Sequence, residues 1–375
     1  MKKIFNLAVA AFAAVMIISC DKNGEDITVS TVEVSNVDLW ANTATLSFGD
    51  VTPDAVSYRV KGTETWFDAE SVDGVFTIAP VWNESKNDAG LTVYTVEEGT
   101  GIFAGKTYEF QVNGETLADA DYTSAAGDVI PNGDMSGWSE YENGIYPNAE
   151  GNAFWTSGNN SMTPELCVND NDAAKLSSIY KNAFIMNVFA AGNLFSGSFE
   201  YSIPAKANFG AEYVWSARPK ALKLKYKSNI GNIDSFNKVP EGSNVAMGDV
   251  DKARIFAAVV DWNAMHTVLS APSLFGDYPQ GSWDPETAKS VQNDLGTEEE
   301  PNLTEESILG YASAYISETV DDFNELIIPF YWYDNSKKPS AKYTLVISCT
   351  ASCLGDYFTG CSTNKLWVDD FEWVY

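Results

Sequence analysis

Polar and apolar residues alternate over short stretches along most of this chain. Ala44, Leu46 and Phe48 are separated by polar residues, as are Tyr58 and Val60, and Tyr108, Phe110 and Val112. A period of two is what a strand with one buried face requires. Leu222, Leu224 and Tyr226 alternate in the same way with Lys223, Lys225 and Lys227, which places three lysines on one face of a strand. Ile255–Val260 reads as a further strand, closed by Asp261-Trp262-Asn263. Gly, Asn, Asp and Pro punctuate these runs and long amphipathic helical stretches are scarce, so the expected class is all-β. Gly281–Pro301, with Glu298-Glu299-Glu300, is polar; Pro285–Asn293 within it allows a short helix, and the segment reads as an insertion over a sheet.

The first residues break the alternation. Lys2 and Lys3 precede Ile4–Ile18, which is apolar except for Asn6, and Ser19-Cys20 closes the run. That order is the order of a secretory signal. Fifteen residues also fall short of the roughly 20 that a spanning helix needs. Met16-Ile17-Ile18-Ser19-Cys20 resembles a lipobox, which implies a signal peptide at 1–19 and a lipid on Cys20. Residues 20–26 form a polar, acidic tether. It resembles the stretch that directs Bacteroidota lipoproteins to the outer face of the outer membrane. The expected location is therefore the cell surface, with the outer membrane engaged through the lipid anchor.

Charge narrows the partners. The formal net charge is −29, and losing Lys2 and Lys3 with the leader makes it about two units more negative. Nucleic acid and anionic lipid head groups both need Lys/Arg fields and are excluded as partners. An apolar content of 45% is ample for folded cores, so the acidity does not signal disorder, and the length suits two or three domains. Beyond Cys20 stand Cys167, Cys349, Cys353 and Cys361. Cys353 and Cys361 flank the turn-rich Leu354–Gly360 and are expected to pair in an oxidising compartment. His266 is the only histidine, so a zinc site is not expected and His266 reads as structural.

Two domains follow from these patterns. In residues 27–127, Ile102-Phe103-Ala104-Gly105-Lys106-Thr107-Tyr108 resembles the tyrosine corner of a fibronectin type III sandwich. The resemblance implies an Ig/fibronectin III-like domain whose tyrosine hydroxyl bonds to the chain just before it. Its expected role is a spacer, with Trp66 and Trp82 as core aromatics rather than platforms.

Residues 128–375 open with Ile130-Pro131-Asn132-Gly133-Asp134-Met135-Ser136-Gly137-Trp138 and close with Leu366-Trp367-Val368-Asp369-Asp370-Phe371-Glu372-Trp373-Val374-Tyr375. These ends resemble those of galactose-binding-like jelly-roll carbohydrate-binding modules. The resemblance implies a larger β jelly roll with its two ends together and a structural calcium held by carboxylates. Asp134, Asp369 and Asp370 are the candidates; the alternative is that they are turn and strand-end carboxylates facing water. Ala173–Leu176, Ala191–Phe195, Ser216–Leu222, Tyr226-Lys227, Asp251–Ile255 and Gly355–Gly360 occur in order. Their succession resembles the putative carbohydrate metabolism domain of gut Bacteroidota surface lipoproteins, over about two thirds of the chain. Cys353 and Cys361 depart from it, standing where small or polar residues are expected.

That resemblance implies a sugar context. Sugars are held by aromatic faces and by planar polar groups that fork to hydroxyl pairs. Trp155 with Asn159, Trp215 with Arg218, and Trp262 each combine the two. For each tryptophan the competing reading is a core position, and for Arg218 a turn anchor before Pro219. Lys223, with Lys225 and Lys227, is either a solvated face or a positive strip for a uronate or sulfated glycan.

No nucleophile elbow, phosphate loop or metalloprotease helix is present. With 52 acidic residues, a catalytic carboxylate pair cannot be singled out. The expected function is a surface-anchored, non-catalytic glycan-binding lipoprotein working in polysaccharide utilisation beside an outer-membrane glycan transporter. The alternatives are a glycoside hydrolase in the second domain and an adhesion or structural surface subunit.

Overall fold

The computed structural model describes residue 29 and residues 31–142, 144–183, 186–293 and 304–375. The leader at 1–19, Cys20, the acidic tether and Glu298–Glu300 lie outside these residues. The fold is all-β and antiparallel, with two 3-10 turns at Ser273–Phe275 and Gly355–Tyr357 as the helical elements among the described residues. The chain divides into two compact units, one reaching to Val81 and resuming at Val96–Gly127, the other comprising Trp82–Thr95 and Asp128–Tyr375. The hairpin Trp82–Lys86/Thr92–Val96 thus separates from the residues that flank it in sequence. Local alternation carries no information about which sheet a hairpin joins.

The first unit is a sandwich. Strands Glu33–Asp38, Thr43–Ser47, Val75–Ile78 and Glu70–Val72 form one sheet. Thr107–Val112 and Val56–Val60 centre the other. The alternating residues Ala44, Leu46, Phe48, Tyr58, Tyr108, Phe110 and Val112 all turn inward and are buried. The Tyr108 hydroxyl accepts the Phe103 N–H at 2.7 Å, forming the expected tyrosine corner. The Tyr58 hydroxyl accepts the Gly101 N–H at 2.9 Å in parallel. Each bond satisfies a buried main-chain donor where the strand begins.

The second unit sets an eleven-stranded sheet against a five-stranded one. Strand Ala253–Trp262 lies between Tyr343–Thr350 and Thr304–Ile316 in the larger sheet, and its apolar run is covered on both faces. One cover is the cluster of Phe256, Val260 and Trp262 with Val93, Tyr311 and Tyr333, against which Trp283 packs. The segment from Gly281 does therefore lie over the sheet. Its residues Ser290–Asn293 form a strand paired with Thr304–Ser307, where a helix had been allowed. The smaller sheet runs Cys167–Asp170, Ala173–Ser177, Lys365–Val374, Ala221–Asn229, Val320–Pro329. Leu176, Leu222, Leu224, Leu366 and Val368 are buried, leaving the alternate residues on the outer face.

The two ends of this unit meet as a loop on a strand. The Phe371 N–H donates to the Gly133 carbonyl at 2.7 Å. A Cβ on Gly133 would stand 2.3 Å from the Phe371 carbonyl oxygen, so only glycine permits the approach.

Candidate functional site

The structure removes most of the expected sugar contacts from the surface. Trp155, Trp215 and Trp262 are 0%, 2% and 0% exposed and have no face to offer a ligand. The Trp155 indole N–H donates to the Pro131 carbonyl at 3.0 Å, and Trp215 packs on Trp373 with ring centroids 5.2 Å apart. Asn159 is spent on both main-chain groups of Cys167, at 2.8 and 2.9 Å. Arg218 is 1% exposed, its guanidinium over the rings of Trp332 and Trp82 at 4.5 and 5.1 Å. All five are parts of the core: Trp155, Trp215, Asn159 and Arg218 each bond main-chain groups there, and Trp262 is enclosed without a partner for its indole N–H.

The carboxylates proposed for calcium have other employment. Asp370 occupies the left-handed region at φ 51°, at the register shift between the last strand and Ala221–Asn229. Aspartate tolerates that conformation, which accounts for its place in a bulge. Its carboxylate pairs with Lys225 at 2.7 Å, and its N–H donates to Asp369. Asp134 caps its own loop by accepting from the N–H and hydroxyl of Ser136. Among the described residues no three His, Cys, Asp or Glu side chains gather closely enough to hold a metal.

The expected Cys353–Cys361 disulfide is also corrected: Cys167, Cys349, Cys353 and Cys361 are all free thiols. The Cys361 N–H donates to Asp251 at 2.7 Å, and its Sγ lies 3.3 Å from the Thr363 hydroxyl. The intervening loop is closed by its own main chain instead, through Gly355 to Ser352 and Thr359 to Leu354. Burial pushes the Cys353 thiol up to about 11, which makes it a poor nucleophile.

Glu306 has a structural part at the end of the strand that carries Trp262. It is buried, and burial raises its pKa against the opposing main-chain N–H groups of Asn263 and Ala264. The folded state therefore holds this proton more tightly than the unfolded chain, so stability falls as pH rises through the folded-state pKa. Glu306→Gln keeps an acceptor but cannot ionise. The variant is expected to be about 1 kcal/mol more stable than the parent near pH 8 and equal to it near pH 4, by denaturant unfolding at both. An equal difference at the two pH values would refute a buried titrating carboxyl.

The surviving surface lies on the outer face of the five-stranded sheet. Lys175 pairs in register with Trp367, and Trp367 with Lys227. The Lys227 ammonium stands 4.5 Å from the Trp367 ring centroid and 5.1 Å from that of Phe323; Lys175 stands 5.5 Å from Trp367. Lys175, Trp367, Lys227 and Phe323 thus make a row of alternating cations and aromatics across four adjacent strands. The Trp367 indole N–H donates to Asp170 at 2.8 Å, which fixes the ring's orientation. Phe323 is 40% exposed and Trp367 is half-buried. Lys223, the predicted contact, lies beyond the row and is neutralised by Glu372 at 2.6 Å. The lysine alternation marks the strand of Lys227, whereas Trp367 is obscured in the sequence by Asp369 and Asp370, whose pairing suggests a metal site.

A second constellation joins the start of strand Ala253–Trp262 to two loops. Arg254 holds Asp284 through two bonds of 3.1 and 2.6 Å and Glu286 through one of 3.0 Å. Asp356, in the turn Gly355–Tyr357, accepts the Ser282 hydroxyl. Burial raises the Asp356 pKa, opposed by Ser282, by nearby N–H groups and by Arg254. One carboxyl biased towards its acid form thus lies near a guanidinium that is paired with two others. The segments Asp251–Ile255 and Gly355–Gly360, separate in sequence, meet here.

Several solved structures resemble this chain. A putative glycoside hydrolase from Bacteroides thetaiotaomicron VPI-5482 is 17% identical, with a TM-score of 0.41 over 87% of this chain and 97% of its own. One from Bacteroides vulgatus ATCC 8482 is 18% identical, with a TM-score of 0.41 over 66% and 97%. No curated protein matches. The family model described as "putative carbohydrate metabolism domain" matches residues 134–374, more than half of the sequence and nearly all of the second unit, and the chain belongs to that family.

Proposed function

We propose that this chain is a glycan-binding lipoprotein, anchored through Cys20 at the outer-membrane surface, that captures polysaccharide for use beside a glycan transporter. The family supports a carbohydrate-related role. The observation that carries the binding reading is the row of Lys175, Trp367, Lys227 and Phe323. Partly exposed rings offer apolar faces to sugar C–H groups, and the ammoniums beside them donate to hydroxyls. The five-stranded sheet holds the row rigid, so little ordering cost opposes binding.

Trp367→Ala is expected to weaken retention on a polysaccharide affinity gel by roughly tenfold or more. Phe323→Ala, on an edge strand with less to unfold, should weaken it by roughly threefold. Unchanged retention in both variants, with melting curves like the parent's, would sink the assignment of the site.

The second constellation favours one other reading, a glycan-active hydrolase with Asp356 as the acid. Sustained release of reducing ends from a polysaccharide panel, lost in Asp356→Asn, would establish it. Binding without release is the expected result, because Asp284 and Glu286 are both bound to Arg254 and neither is free to act as base or nucleophile.

A further inference from the structure

Charge on the sheet face is distributed unevenly. Lys223 and Lys225 are cancelled by Glu372 and Asp370 at 2.6 and 2.7 Å. Among the described residues, no carboxylate lies within ion-pair distance of Lys227, and Lys175 has only Asp170, at the long distance of 3.9 Å. Asp170 is itself engaged by the Trp367 indole N–H, and its pKa is lowered by that bond first, then by Lys175 and Lys227. Two ammoniums therefore flank one indole with a single carboxylate at its edge, a local excess of positive charge on a protein of net charge −29.

We infer that the row binds an acidic sugar, one whose carboxylate or sulfate lies between Lys175 and Lys227 while a ring face rests on Trp367. The inference rests on the glycan-binding reading and adds the class of ligand to it. A cation over an aromatic ring gains from the ring's negative face and keeps its N–H donors directed outward. An anion placed there meets two charge-assisted donors, whereas a neutral hydroxyl gains much less. The overall negative charge sets a limit in the other direction. A uniform polyanion would be repelled by the rest of the molecule, so the fitting glycan is sparsely charged, with acidic units set among neutral sugars.

The test uses the folded protein on three immobilised glycans: glucuronoxylan, the same glucuronoxylan after chemical reduction of its carboxyl groups, and a sparsely sulfated galactan. Lys227→Met keeps most of the stem that packs on Trp367 and removes the charge. It should weaken binding of the acidic glycans by roughly tenfold and leave the reduced one unchanged. Asp170→Asn keeps an acceptor for the indole and removes the competing carboxylate, so it should tighten acidic binding by roughly threefold. Raising the salt concentration should release the acidic glycans selectively. Retention of only the uronate or only the sulfated glycan would identify which anion is read. Equal retention of the native and reduced glucuronoxylan, or of the neutral form alone, overturns the inference and leaves glycan binding intact. Failure to retain any polysaccharide in a broad neutral and acidic panel removes the glycan-binding reading and this inference together.

Discussion

Asp251→Ala is expected to destabilise the second unit by about 3–5 kcal/mol. The Asp251 carboxylate is buried and accepts four hydrogen bonds. Oδ2 takes the Ser352 hydroxyl at 2.6 Å, the Cys361 N–H at 2.7 Å and the Asn364 amide at 2.9 Å, and Oδ1 takes the Lys252 N–H at 2.7 Å. Ser352 extends the network to Ser178 at 3.1 Å, on the far side of the chain reversal. Truncation would leave a main-chain N–H and a side-chain amide in a dry site, and unmade buried bonds cost more than made ones contribute. In a unit of this size the melting temperature should fall by about 10 °C. A fall of less than about 2 °C would mean that water or relaxation replaces the carboxylate.

Asp251 also explains why Asp251–Ile255 and Gly355–Gly360 travel together: the first segment bonds the residues flanking the second. The carboxylate's pKa is raised by burial first, and the bonds from Ser352, Cys361 and Lys252 oppose that rise without cancelling it. Its contribution is thus fullest below the unfolded value and declines as pH rises through the folded one.

The sequence disclosed most of what local period and turn chemistry control. Period-two alternation located the strands of Ala44–Phe48, Tyr108–Val112 and Leu222–Lys227, because each has one wet face. The tyrosine corner was legible because its bond spans five residues. Long-range placement was not legible. Trp155, Trp215 and Trp262 stand beside polar residues, which leaves a platform reading open beside the core one, yet those polar neighbours serve main-chain groups elsewhere in the fold. Asp261 is typical: it accepts the Ser340 and Ala341 N–H groups and pairs with Lys337, all on a loop nearly eighty residues away. The Asp369-Asp370 pair suggests metal in the sequence, and the bulge that the φ of Asp370 marks was not legible there. Trp367, which does keep a wet face, sits between two buried residues, and only the sheet order brings Lys175, Lys227 and Phe323 beside it.

Arg218 provides the second large effect, and it separates a structural arginine from a ligand-binding one. Its guanidinium lies over Trp332 and Trp82 and donates to the carbonyls of Asn335 at 3.0 Å and Asp334 at 3.4 Å. It thereby ties the hairpin beginning at Trp82 to strand Tyr331–Trp332 and the turn after it. Arg218→Ala should cost about 3–5 kcal/mol, combining a cavity between two indoles with carbonyls left unbonded. Arg218→Met refills part of the volume without restoring the donors, so it should recover about 1–2 kcal/mol of that loss. Glycan retention per folded molecule should stay within about twofold of the parent in both variants, since a residue 1% exposed touches no ligand. A ligand-binding arginine would give the reverse pattern, with stability kept and retention lost. That outcome would require the Trp82 hairpin to move aside in solution, because no path to the guanidinium exists while both indoles enclose it.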